Sequence, residues 1–381
     1  NCQYAHIMKM HASLDASNPP QPQNSTNNNN YHNNNNFHQD NKAANPVSSV
    51  TLWENQGSIK IFTASHDGYW RLWNTSGSQF QKEFEHNMGG GKVECVEVAS
   101  NFLFCGFEAL SRSLPGGQCK VGMIHAWNLA RPNEPPLEFH IHPTLIAYAH
   151  ASCVTQIEVV GGDKLISGCR GGVIRLWNYD AASSKFVLGQ TLHGHASEIT
   201  GLAVVDNLLW SASIDASIRL WDLTKQGECQ YLITKDTQTN GQPAGHSGAV
   251  THLLKMEMPG AGTFVLSSSL DGTIKAWNGS NGECVASEDH WSGVVNMALS
   301  TDMQNNQILI IGLDNGAVMI RNLVQTAKAP AFSLILTLTP QFFWGHNGAV
   351  RAVAAGPGHT FYTGGADGKL LVYQITGDLG I

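Results

Sequence analysis

Short runs, five or six residues long and β-branched or apolar in character, recur along most of this chain with turn residues between them. The runs at 93–98, 102–106, 164–168, 208–212, 263–268, 308–312 and 360–364 are each bounded by Gly, Asp or Asn. That length and those boundaries predict strands. Asp67-Gly68, Asp271-Gly272, Asp314-Asn315-Gly316 and Asp367-Gly368 supply the positive-φ positions that tight hairpins need. The longest apolar run, around 331–338, is strand-sized and far below the ~18 residues of a membrane helix.

A longer period is laid over the short one. His150, His195, His246, His290 and His346 each stand four residues before Val or Ile, at spacings of 45, 51, 44 and 56 residues. The fullest copies read Gly194-His195 … Ser213-Ile214-Asp215 … Trp221-Asp222 and Gly245-His246 … Ser269-Leu270-Asp271 … Trp277-Asn278. Self-similarity at roughly 40–45 residues or a little more, with Gly-His and Trp-Asp signatures, predicts propeller blades. A bulky residue six after the turn Asp should end each third strand, as in Asp67→Trp73, Asp215→Trp221, Asp271→Trp277 and Asp367→Tyr373. Trp127 marks a blade without the Asp, Arg170 takes the turn position before Trp177, and Asp314 leads to Ile320 or Arg321. The tally Trp73, Trp127, Trp177, Trp221, Trp277, Ile320 and Tyr373 gives seven blades.

The last blade runs out after its third strand, and an unpaired edge is a liability. Its outer strand is expected from residues 37–44, just before the first blade, with Val47 opening the first inner strand and Ala43 in the histidine position. The fold class is therefore all-β, a seven-bladed propeller over 37–381. Residues 107–120, within blade two, and 322–332, placed between blades six and seven, depart from the regular blade and are candidate contact loops.

The Gly-His, Ser-x-Asp and Trp-Asp elements resemble the WD-repeat family over about residues 37–376. The resemblance implies a buried relay of His, strand Ser/Thr, turn Asp and Trp within each blade. Carried over, it comprises His195, Asp215, Trp221 and Ser211 or Ser213 in blade four. In blade five it comprises His246, Asp271, Trp277 and Ser267 or Ser269; in blade seven, His346, Asp367, Thr363 and Tyr373. Read alone, each His/Ser/Asp set would suit a hydrolase triad. Its repetition favours architecture, since an active site occurs once. No unrepeated carboxylate cluster, nucleophile motif or phosphate-binding loop stands beside these sets, so no enzyme is expected. The residue before the turn Asp lies near a rim that the family uses for partners, and Ile214, Leu270 and Leu313 occupy it in three successive blades.

Composition narrows the partners. The 381 residues are 42% hydrophobic and 13% charged, with 39 glycines, which suits many short strands and turns. A formal charge of −7 gives the body no general attraction for nucleic acid or anionic membrane. Eight cysteines without a CxxC pair point to a reducing compartment, cytosol or nucleus. No small-molecule substrate is implied.

The first residues carry different chemistry. The chain opens on Asn1 and not on methionine, so a fragment is expected. Residues 24–36 are almost wholly Asn, and 7–36 read as a disordered low-complexity linker. Ahead of it, Cys2 and His6 have a spacing that can close on one zinc ion. Cys2-Gln3-Tyr4-Ala5-His6 resembles the closing half of a CCCH zinc finger, and the whole resembles the zinc-finger CCCH and WD-repeat proteins. That resemblance implies Cys2 and His6 as the last two zinc ligands, two cysteines upstream, and Tyr4 stacking on a base of single-stranded RNA. Two ligands hold structural zinc poorly, so zinc requires the missing pair. The expected function is a non-enzymatic scaffold, the propeller binding proteins or peptides and the finger RNA. The alternative is a substrate receptor of a ubiquitin ligase. Thr224 stands where such receptors carry the Arg of Trp-Asp-x-Arg, which disfavours it.

Overall fold

Seven antiparallel four-stranded sheets account for nearly all of the regular structure. The computed structural model describes residues 8–16, 44–55, 57–75, 80–89, 91–111, 119–141, 148–239, 242–325, 330–342, 345–377 and 379. The inner strands are Val47–Asn55, Val93–Ala99, Val154–Val160, Ile199–Val205, Val250–Met258, Val294–Thr301 and Val350–Ala355. Each packs against the inner strands on either side of it, and Val350–Ala355 returns to Val47–Asn55, so the ring of seven blades closes.

Each inner strand opens on a fully buried Val or Ile, namely Val47, Val93, Val154, Ile199, Val250, Val294 and Val350. Directly after that residue every inner strand carries a β-bulge. A bulge re-aims the extra residue, and four blades use it to tie the ring. Ser48, Thr155, Thr200 and Thr251 each donate 2.6 Å hydrogen bonds to the carbonyls of Val93, Ile199, Val250 and Val294, the opening residues of the next blades.

The core lies between blades. Seven apolar clusters fill the seven blade interfaces, with each aromatic that ends a third strand facing the preceding blade. Trp277, for example, packs with Trp210, Leu220 and Val250 between blades four and five. A central channel of about 490 Å³ runs along the inner strands, lined by Glu94, Glu97, Gln156, His252, Lys255 and Asn296 among others.

The closing strand differs from expectation. It is Met8–Asp15, paired antiparallel to Lys369–Ile375 from Met8 opposite Ile375 to Asp15 opposite Lys369. The propeller thus takes in part of the segment read as linker. Ala16, not Ala43, fills the histidine position of blade one: its N–H donates to the Gly368 carbonyl at 3.0 Å, as His346 does to Gly316 at 2.9 Å. Residues 37–43 and the Asn-rich run lie outside the described residues. The described residues of both irregular segments are strands. Of 107–120, residues 107–111 and 119–120 extend the hairpin of Phe102–Ser111 and Cys119–Asn128 in blade two. Of 322–332, residues 322–325 and 330–332 belong inside blade six, to Val318–Gln325 and Pro330–Leu338.

Blade six corrects one further reading. Its turn residue is Asn315, whose side chain accepts the Ala317 N–H at 3.0 Å as Asp271 accepts the Thr273 N–H at 2.9 Å. Arg321, opposite Leu309, therefore holds the place that Trp277 holds opposite Val265, and Ile320 lies one residue off.

Candidate functional site

The repeated polar sets form one continuous donor chain in blades four and five. In blade four the Trp221 indole N–H donates to Ser211 Oγ at 2.8 Å. Ser211 Oγ lies 2.8 Å from His195 Nε2, and His195 Nδ1 lies 3.0 Å from Asp215 Oδ2. With the serine hydroxyl donating to Nε2 and Nδ1–H to the carboxylate, every group is satisfied in one direction, as buried polar groups require. Blade five repeats it through Trp277, Ser267, His246 and Asp271 at 2.8, 2.6 and 3.3 Å, with Thr273 Oγ1 2.9 Å from His246 Nδ1. In blade seven His346 lies 2.8 Å from Thr363 Oγ1 and 2.9 Å from Asp367 Oδ1, and Tyr373 bonds Thr363. Ser213 and Ser269 instead cap the turns, accepting the N–H groups of Asp215 and Asp271.

Burial alone would raise the turn carboxyls. Hydrogen bonds from the histidines, from Ser217 and Thr273, and from backbone N–H groups outweigh it and hold Asp215, Asp271 and Asp367 below the usual carboxylate range. The serines are fully buried, and each already accepts a tryptophan N–H. Such a hydroxyl is not presented as a nucleophile.

The incomplete blades follow from their sequence. His150 reaches Ser167 at 2.7 Å, but Gly171 stands at the turn-acid position and His150 Nδ1 has no partner. In blade six Ile311, Asn315 and Arg321 replace Ser, Asp and Trp, and neither ring nitrogen of His290 has a side-chain partner. Burial and the Arg321 charge push His290 down to about 4.

The exposed chemistry lies on the face where the turns meet the loops that enter the inner strands. One hydrogen bond defines seven equivalent positions there. The N–H groups of His66, Glu108, Arg170, Ile214, Leu270, Asp314 and Ala366 donate to the carbonyl of the residue just before each inner strand. Arg170 is therefore a rim residue and not the turn residue of blade three. Ile214 and Leu270 are exposed, at 47% and 51%. Leu313 is fully buried, because the one-residue offset of blade six puts Asp314 on the rim in its place. Trp291, which sequence reasoning missed, is 61% exposed beside them. Its signal was a large aromatic directly after His290, where the loops of blades four, five and seven have Ala196, Ser247 and Asn347.

The face has two halves. Over blades one to four, Arg170 lies 2.8 Å from Glu94, 3.1 Å from Glu198 and 3.7 Å from Glu108. Glu94 also meets His66 at 2.8 Å, and Glu108 meets Lys120 at 2.8 Å. Burial raises the Glu94 carboxyl, but His66, Arg170 and Arg351 together hold it lower than usual. Over blades four to six the face is apolar, with Ile214, Leu270 and Trp291, and Asp314 at its edge.

Cys2, Tyr4 and His6 lie outside the described residues. Among the described residues no group of three or more His, Cys, Asp or Glu could hold a metal ion. Cys95, Cys105, Cys119, Cys153, Cys169, Cys229 and Cys284 are free thiols. No helix among the described residues is long and apolar enough to cross a membrane.

Residues 186–222, 238–278 and 336–374 match the family described as WD domain, G-beta repeat. Over 318 residues the chain is 27% identical to Zinc finger CCCH domain-containing protein 17 of Oryza sativa subsp. japonica, covering 84% of this chain and 61% of that protein. It is 26% identical over 172 residues to Zinc finger CCCH domain-containing protein 62 of Arabidopsis thaliana, covering 44% of this chain and 35% of that protein. The crystal structure of the WD40 beta propeller domain of Doa1 superposes with a TM-score of 0.62 at 20% identity, over 87% of this chain and 93% of that one. The chain is thus a seven-bladed β-propeller that carries WD repeats at the matched residues.

Proposed function

We propose that this chain is a non-enzymatic scaffold whose propeller holds protein or peptide partners on the face carrying Ile214, Leu270 and Trp291. The observation that carries the reading is the exposure of these three large apolar side chains in adjacent blades, when the cores of the same blades are closed. Clustered apolar exposure marks an interaction surface more often than ordinary packing. The Ser-His-Asp sets support a role without catalysis, since each is buried and satisfied within its own blade. Free thiols support an intracellular setting, nuclear or cytoplasmic.

A second activity is supported by Cys2-Gln3-Tyr4-Ala5-His6 together with the CCCH wording in the names of two relatives. On this reading Cys2 and His6 supply two of four zinc ligands, and Tyr4 stacks on a base of single-stranded RNA. The chain spans 61% of the rice relative, so the whole protein's activity rests on more than this sequence.

The scaffold reading is tested by cross-linking wild type and a Leu270→Asp/Trp291→Ala variant in cells and quantifying the captured proteins. Partners that depend on the face should fall away while the melting temperature holds. An unchanged partner set removes the reading. The RNA reading is tested by zinc titration of single-stranded RNA binding in the full-length protein, with Cys2→Ser and Tyr4→Ala as controls.

A further inference from the structure

Resting on the interaction face just described, we infer that blades four to six recognise a peptide segment carrying a bulky apolar side chain beside a lysine or arginine. Two halves of one face differ in how their charges are used. Around Arg170 three carboxylates, Glu94, Glu108 and Glu198, are engaged by one guanidinium. In the apolar half, Asp314 is exposed, accepts the Ser292 hydroxyl, and has no cation within ion-pair distance among the described residues. Asp289, at the end of the outer strand of blade five and two residues before Trp291, is exposed and likewise without an ion pair among the described residues.

Leu270 and Asp314 meet over Gly293. A β-carbon on that glycine would lie 3.1 Å from Leu270 Cδ2 and 2.7 Å from Asp314 Oδ2. An apolar contact and an unneutralised carboxylate thus stand within one side chain's reach, two residues from an indole that is mostly solvent-exposed. The nearby groups do not offset the acid. His290 is half-buried with both ring nitrogens enclosed and is held neutral at physiological pH, and the Arg321 guanidinium is buried and directed to Glu288 at 3.8 Å. An exposed indole with an exposed carboxylate two residues away in the chain favours a cation with an apolar stem, because ring face and anion both attract positive charge. The chain's net charge of −7 acts in the same direction at longer range.

The test is selection of random peptides displayed on phage against the whole chain, followed by fluorescence anisotropy on the enriched sequences as synthetic peptides. Sequences pairing Lys or Arg with Leu, Met, Phe or Trp should be enriched. Trp291→Ala should weaken them by at least about tenfold, as a central aromatic anchor does. Asp314→Asn should weaken them about fivefold and flatten the salt dependence, and Asp314→Lys should select against basic peptides. Tyr231→Ala, on the outer strand of blade four, should change nothing. Peptides that need Leu270 and Trp291 but ignore Asp314, or that are acidic, overturn this inference and leave the interaction face standing. Peptides lost on Tyr231→Ala and kept on Trp291→Ala, or no enrichment at all, overturn both.

Discussion

Arg71 donates a 2.8 Å hydrogen bond to the carbonyl of Ala16, the residue that fills the histidine position of blade one. The guanidinium is fully buried and also lies 2.7 Å from Asp67 and 3.2 Å from Glu85. A blade that lacks the histidine relay is held by this cation, which joins its turn, its outer strand and the end of the closing strand. Arg71→Ala would leave buried Asp67 without its counter-charge, at a cost of about 3–5 kcal/mol. Thermal unfolding should show that loss. Hydrogen exchange should show the amides of 8–15 losing protection before those of blade five.

His246→Ala should lower stability by about 1–3 kcal/mol, the cost of leaving Ser267 and Asp271 unsatisfied. Chemical denaturation measures it.

Asp271 also sets an acid limit. Its folded carboxyl titrates below the model-compound value of 3.8, so the stability it contributes is complete above about pH 4 and is lost as pH falls further. Asp271→Asn should lower the melting temperature at pH 7. At pH 3 the gap from wild type should narrow.

Glu97 gives the opposite sign. Burial, and then the Glu158 charge, push its carboxyl up to about 8, while burial takes Glu158 to about 7. The folded chain therefore binds more protons than the unfolded one between about pH 4.5 and 8, and stability falls as pH rises through that window. Glu97→Gln should raise the melting temperature at pH 8.5 and change little at pH 4. An equal gain at both values would show that the effect is packing and not ionisation.

The ring ties offer a gain as well as a loss. Thr200→Val keeps the shape but removes the bond to Val250, and should cost about 1 kcal/mol. Val295 holds the bulge position of blade six. Val295→Thr would offer the Val350 carbonyl the bond that four other blades already have, and should stabilise by about 0.5–1 kcal/mol. Paired denaturation curves decide both.

Much of this was legible in the chain because blades repeat and their pairings are local. The His, Ser, Asp and Trp of blades four and five, named through the family resemblance, lie in one hydrogen-bonded chain in each blade. Blade six slipped because Asp314-Asn315-Gly316 offers two side chains that can head a turn. Counting six from Asp314 gives Ile320, whereas six from Asn315 gives Arg321, and the same slip put Leu313 on the rim. The closing strand was missed for a different reason. Met8–Asp15 pairs with a strand at the other end of the chain, and its sequence carries no turn or periodic mark of that remote neighbour. Trp291 was visible as a residue but not as an exposed one, since exposure depends on what the adjoining blades present.

Because Met8–Asp15 belongs to the last sheet and Val47–Asn55 to the first, the covalent join between them is not what shuts the ring. A protease nick anywhere in 17–43 would leave two polypeptides, and the shorter would have to unzip from Lys369–Ile375 before it could depart. The covalent path into Met8 therefore enters the propeller at the seventh sheet, ahead of the Asn-rich run and not through it.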